Sequence, residues 1–129
     1  MCVVTLAPAV LDMIDAGTVP KGDVFATARV AGLMAAKSTP QILPLCHPLL
    51  ISHAAVDLAI DHERAVVDVS ATVETTAQTG VEMEALCAVA AAALCVHDMC
   101  KMFDPTIQID GLRLVSKSGG KSGHWRRSP

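Results

Sequence analysis

Aromatic rings are almost missing from this 129-residue chain: it has one tryptophan, two phenylalanines and no tyrosine, against 52% hydrophobic residues. A core must therefore be built from Ala, Val, Leu, Ile and Met, a composition that favours close helix packing. The shortage of rings removes the platforms on which successive bases stack, which argues against single-stranded nucleic acid as a partner. An excess of positive charge is missing too. The formal net charge is −3 and the pI is near 5.9, so a nucleic-acid backbone is not expected as the general partner. Basic residues gather only late in the chain, at Arg113, Lys117, Lys121, Arg126 and Arg127.

No charge-free apolar run reaches the ~20 residues of a membrane span; the longest, residues 86–96, suits a buried helix. The opening MCVVTLAPAV lacks a basic stretch ahead of its apolar residues, so no secretory signal is expected. The five cysteines, at 2, 46, 87, 95 and 100, are an odd number without a CxxC pair. Neither a disulfide framework nor a structural zinc site is indicated, and a reducing cytoplasm is the expected setting. Cys87 and Cys95 are most simply small core residues. The length suits one domain, residues 1–129, with 117–129 forming a Gly/Lys-rich loop and tail.

The dominant stretch is 79–103, TGVEMEALCAVAAAALCVHDMCKMF, rich in the good helix formers Ala, Leu and Met. Glu82 and Glu84 lie in its first turn, and His97, Asp98 and Lys101 near its end, as the helix dipole prefers. Stepping by 100° per residue puts Glu84, Asp98 and Lys101 in one stripe, with His97 bordering it and Glu82 off it. Such a stripe is either a solvated face or the wall of a polar site.

Around this helix the chain reads as a short helix over 7–16 ended by Gly17, then a helix from the N-cap Asp23 to about Lys37. Val24, Ala28, Ala31 and Ala35 mark its small-residue packing face, and Pro40 stops it. LPLCHPLL is a rigid, non-helical segment. Residues 51–60 and 66–76 alternate as strands, joined by the turn DHER into an antiparallel pair. A last strand is expected over 107–115 with Gly111 a bulge, and the remainder is too rich in Gly and Ser for regular structure. The order α-α-β-β-α-β, with residues 2–6 as the stump of a first strand, matches a ferredoxin-like sandwich. The expected class is α+β, an antiparallel sheet with helices on one face.

Single motifs leave alternatives open. KSGGKSG (117–123) could cradle an anion with its backbone N–H groups and two lysines, or be a flexible basic tail. It is not a Walker A loop, because the glycine spacing fails and no helix follows. His47 could be a ligand, a general acid or a satisfied loop histidine. Asp98 and Lys101 could be a surface ion pair or an acid/base couple. Lys21 alone is a loop lysine, and Met83 alone a core residue.

In order, however, KGDVFATARVAG (21–32), PLCHPL (44–49), TGVEMEAL (79–86), DMCK (98–101) and KSGGKSG (117–123) resemble the MoaC family of molybdenum cofactor biosynthesis, cyclic pyranopterin monophosphate synthase. The resemblance runs through about residues 19–123. It implies conversion of 3′,8-cyclo-7,8-dihydro-GTP to cyclic pyranopterin monophosphate with release of pyrophosphate. It also implies a ferredoxin-like subunit in a dimer-based hexamer, with sites between subunits. Carried onto matching positions, Asp98 is the catalytic residue, with Lys101 and Lys21 as acid/base or phosphate-side partners. Leu45, Cys46, His47, Met83 and Glu84 match substrate-contact segments, and Lys117 and Lys121 would hold the triphosphate. Magnesium could accompany the phosphates, but no carboxylate cage is visible.

Chains of that family carry a longer segment ahead of the position of Lys21. The first strand is thus expected to be largely missing: either a partner subunit covers the exposed sheet edge, the start site is misassigned, or the chain is a weakened paralogue. The rival to an active synthase is a shortened, non-catalytic paralogue that assembles with a full-length subunit. A generic phosphate-binding module would require the motif order to be coincidence. One geometric expectation is independent of the family: Glu84 and Asp98, fourteen residues apart on one helix, lie about 21 Å apart at 1.5 Å per residue. A site using both must draw on two subunits.

Overall fold

The computed structural model describes all residues, 1–129. Alternating Cys2 and Val4 point one way from β1 (Cys2–Thr5), whose four residues pair with strands on both sides. Helix α1 (Pro8–Ala16) follows and is closed by Gly17 at φ 69°, a left-handed position that costs glycine little. Asp23 then caps α2 (Val24–Lys37), its Oδ1 accepting the Ala26 N–H at 3.0 Å. A one-turn helix, α3 (Thr39–Ile42), begins around Pro40. Proline is tolerated in a first turn, so Pro40 starts a new turn as well as ending the old helix.

Strands β2 (His53–Asp61) and β3 (Val66–Glu74) form the expected antiparallel hairpin, pairing from His53↔Glu74 to Asp61↔Val66. Arg64 stabilises the turn: its N–H donates to Asp61 Oδ1 at 3.0 Å, and its guanidinium pairs with Asp61 and Asp68. Helix α4 (Glu82–Cys100) is three residues shorter at each end than the apolar stretch suggested. It leads to β4 (Gln108–Asp110), which pairs with β1. The strand expected over 107–115 therefore stops early. Gly111 at φ 67° turns the chain out of the sheet, rather than forming a bulge within a longer strand.

The four strands lie in the order β2-β3-β1-β4, every neighbouring pair antiparallel. The first strand, expected to be largely missing, is an interior strand, so the sheet edges are β2 and β4. Val56, Leu58, Val67 and Val69 join Cys2 and Val4 in the core beneath α2 and α4. α4 is long and apolar enough to cross a membrane, but here Ala88, Val89, Ala92, Ala93 and Val96 bury it as the central core helix. The tail is more ordered than its composition suggested: β5 (Ser116–Lys117) pairs with β6 (Trp125–Arg126), closing the Gly/Lys loop into a hairpin.

The packing face of α2 runs through Val24, Ala28, Gly32, Ala35 and Ala36, with Ala31 only half-buried. Gly32 is the point of closest approach: a Cβ there would stand 2.8 Å from Val56 Cγ2 and 2.9 Å from the Ala88 carbonyl oxygen. Overpacking of this kind costs about 1–3 kcal/mol, partly offset by the ~1 kcal/mol by which alanine exceeds glycine in helix propensity. Gly32→Ala is therefore expected to lower the urea midpoint; a raised midpoint would mean that α2 and α4 have room to spare.

Candidate active site

Three side chains meet at the C-terminal end of α4, two of them neighbours there and one from 77 residues earlier. Asp98 lies about half a turn before the end of α4 at Cys100 and is exposed. Lys101, at i+3, donates from Nζ to Asp98 Oδ1 at 2.7 Å. Lys21, at the end of the loop that follows α1, donates to Asp98 Oδ2 at 2.9 Å and to the Asp98 carbonyl oxygen at 3.1 Å. The carbonyl bond satisfies a free acceptor in the last turn of α4, where positive charge is favoured. Hydrogen bonds from Lys101 and Lys21, reinforced by their charges, hold the Asp98 carboxyl at about 2. Asp98 is thus a carboxylate between two ammonium groups, able to accept a proton or orient its donors.

The opposite end of α4 carries a second group. Glu84 is buried, at 2% exposure, and the thiol of Cys46 is its side-chain partner at 3.8 Å. A thiol is a weak donor for a buried carboxylate. Desolvation and the adjacent Glu84 push the Cys46 thiol up. Leu45 and His47 flank Cys46 on the exposed, non-helical segment after α3, and Met83 is exposed beside Glu84. Lys117, on β5, donates to Glu82 Oε1 at 3.1 Å. The Glu82 carboxyl is held low by its own backbone N–H and then by Lys117. Lys121 lies with Lys117, Gly80 and Glu82 along a groove of about 960 Å³ between the start of α4 and the glycine loop. A second cavity, about 480 Å³, lies against Lys117, His124 and Trp125.

The sequence-predicted residues thus fall into two groups. Lys21, Asp98 and Lys101 converge within hydrogen-bonding distance. Cys46, Glu84, Lys117 and Lys121 gather at or near the other end of α4, and they do not reach the first group. Glu82 is a charged partner that the angular projection set aside. It lies off the stripe because it faces β5, and its place in the first helical turn, two residues before Glu84, was the available signal. Asp104 was likewise unmarked in sequence, yet it is a buried carboxylate at 4% exposure near the first group.

A family profile described as the MoaC family matches residues 1–120. The chain is 56% identical over 124 residues to the cyclic pyranopterin monophosphate synthase of Chloroflexus aggregans, covering 96% of this chain and 75% of that protein. It is 57% identical over 120 residues to the protein of that name from Roseiflexus castenholzii, covering 93% and 76%. A molybdenum cofactor biosynthesis bifunctional protein of Synechococcus elongatus is 51% identical over 96% of this chain and 39% of its own length. A profile match over residues 1–120 and relatives 56–57% identical over most of both chains show that this chain belongs to the MoaC family.

Proposed function

We propose that the chain is a cyclic pyranopterin monophosphate synthase acting in molybdenum cofactor biosynthesis on 3′,8-cyclo-7,8-dihydro-GTP. The observation that carries this reading is the meeting of Lys21, Asp98 and Lys101, from two separate motifs, around one carboxylate. The strand order β2-β3-β1-β4, with α2 and α4 crossing on one face, supports a ferredoxin-like subunit. Five free thiols fit a cytoplasmic protein.

Opening and reclosing a purine-derived ring requires protons to be moved at several atoms, and positioned acids and bases contribute roughly 10²–10⁴-fold each. Ammonium groups on Lys21 and Lys101 can donate, and the ionised Asp98 can receive or orient. Forming the cyclic phosphate means that a sugar hydroxyl bonds to the α-phosphorus while the bond to pyrophosphate breaks, the hydroxyl proton passing to a base. Lys117, Lys121 and the N–H groups of the glycine loop would neutralise the leaving pyrophosphate. No three His, Cys, Asp or Glu side chains are arranged to hold a metal ion. A magnesium ion arriving with the substrate would bind through its phosphates.

The length of α4 supports a site shared between two subunits. With about 21 Å of helix between Glu84 and Asp98, one substrate meets both groups only if two copies of the chain align with opposite ends of α4 adjacent. Buried Glu84, with only a thiol donor, would gain a stronger partner from substrate or a second subunit. Exposed Leu45 (95%), Leu50 (80%), Val30, Met34 and Leu94 are apolar surface that association would cover. A dimer repeated into a hexamer is the assembly we favour.

Purified protein incubated with the cyclic dihydro-GTP intermediate is expected to release pyrophosphate and form cyclic pyranopterin monophosphate. Asp98→Asn should lower turnover by on the order of 10²–10⁴ while leaving the fold intact by circular dichroism. A wild-type protein that never turns over alone, but co-purifies with a longer family member, would establish the non-catalytic reading instead. Mixing Asp98→Ala with Glu84→Ala subunits in equal amounts should restore about a quarter of wild-type activity, since half the dimers are mixed and each has one intact site. No recovery after verified subunit exchange would sink the shared site. The depressed Asp98 carboxyl also sets a sign for stability. Its contribution is complete above the ordinary 3.8 and fades as pH falls towards about 2. The urea midpoints of wild type and Asp98→Asn should therefore differ near neutral pH, the variant lower, and converge on acidification.

A further inference from the structure

Asp104, three residues beyond Lys101, carries a buried carboxylate with a complete set of donors. Its Oδ1 accepts the Thr106 N–H at 2.8 Å and the Thr106 hydroxyl at 2.6 Å. Its Oδ2 accepts the backbone N–H of Ala7 at 2.7 Å, from 97 residues away in sequence. These bonds, Thr106 first, hold the carboxyl below the ordinary range.

Ala7 is the N-cap of α1, and it makes no side-chain cap; the first turn has no acidic residue either. Asp104 therefore supplies the negative charge that the positive end of α1 otherwise lacks. From α1 the chain turns through Gly17 and the buried Val19 to Lys21. One carboxylate thus fastens the start of the segment that delivers Lys21 to the end of the helix that carries Asp98. A second tie holds α1 to the β2–β3 turn, where His62 Nε2 lies 2.9 Å from Asp15 Oδ2, but it is exposed and water competes for it. The Asp104 tie is buried.

The two bonds to Asp98 differ in what they depend on. The Lys101 bond is local, between residues on one helix end. The Lys21 bond spans 77 residues and exists only if α1 and its following loop sit correctly against α4.

We propose that Asp104 is a positioning residue that sets the Lys21–Asp98 contact by anchoring the start of α1 to the chain just beyond α4. It touches none of the reacting groups. The inference rests on the reading of Lys21, Asp98 and Lys101 as the proton-transfer cluster.

Trace acetylation of the full-length protein near neutral pH, quantified lysine by lysine by mass spectrometry, tests it without reference to turnover. In Asp104→Asn the amide presents N–H towards the Ala7 N–H, so that bond is lost. Lys21 should then react severalfold faster than in wild type, while Lys101 keeps its rate. On an Asp98→Ala background, adding Asp104→Asn should raise the Lys21 rate by a smaller factor, because the carboxylate contact is already gone and only the bond to the residue 98 carbonyl remains to be lost. If Asp104→Asn does not fold, Ala7→Pro removes only the N–H donor, at a residue whose φ of −57° already suits proline, and carries the same expectation. A folded variant with unchanged Lys21 reactivity, or with Lys21 and Lys101 accelerated together, would overturn the proposal even if its melting temperature falls. In the synthase assay, kcat should drop about 10-fold with KM little changed, as misplacement of a reacting group predicts. Absence of turnover in the wild type would remove the functional reading and leave the reactivity ratio to decide positioning.

Discussion

A straight α-helix keeps its ends apart, and that constraint shapes this molecule more than any other. Helix α4 runs from Glu82 to Cys100 without a proline or an internal glycine, packed on α2 and the sheet. Nothing in it permits the kink that would bring Glu84 towards Asp98. The groups at its ends are therefore held rigidly, and they are held far from each other. Within a single chain, one end offers a carboxylate between two ammonium groups, and the other a buried carboxylate under a thiol beside a lysine-bearing groove.

The rigidity has a source in residue size. Alanines along α4 and the glycine at 32 on α2 let the two helix backbones approach until the Ala88 carbonyl is in contact range. With only 2% aromatic residues, the core has no large rings to fill gaps, so close backbone approach replaces bulky packing. Many small, stiff contacts give a scaffold with little slack. Electrostatics then act locally on that scaffold. Lys21 and Lys101 keep Asp98 ionised, and Lys117 binds Glu82 across the groove.

Local signals were readable where a single element carries them. Asp23 marked the start of α2, Gly17 the end of α1, and DHER the turn between two alternating strands. Each depends on backbone geometry within a few residues, which side-chain type dictates. Signals that depend on distant partners were not readable. Cys2–Thr5 looks like a stump, yet it is an interior strand because β3 and β4 flank it. The glycine-rich tail looks irregular, yet Lys117 and Trp125 pair across it. The buried face of α2 includes Gly32 more than Ala31, since the position of α4 decides which small residue faces inward.

The candidate site divides in the same way. The sequence by itself determined the chemical inventory: Lys21, Cys46, Glu84, Asp98, Lys101, Lys117 and Lys121 in recognisable motifs, and the helical spacing that keeps Glu84 from Asp98. Those properties follow from covalent order and the fixed rise of a helix. Only the tertiary structure decided that Lys21 reaches Asp98, that Glu82 takes Lys117, and that Asp104 caps α1 from the far end of the chain. Each of these joins residues separated by dozens of positions. Their meeting depends on how helices and strands pack, and no local preference of the backbone encodes it.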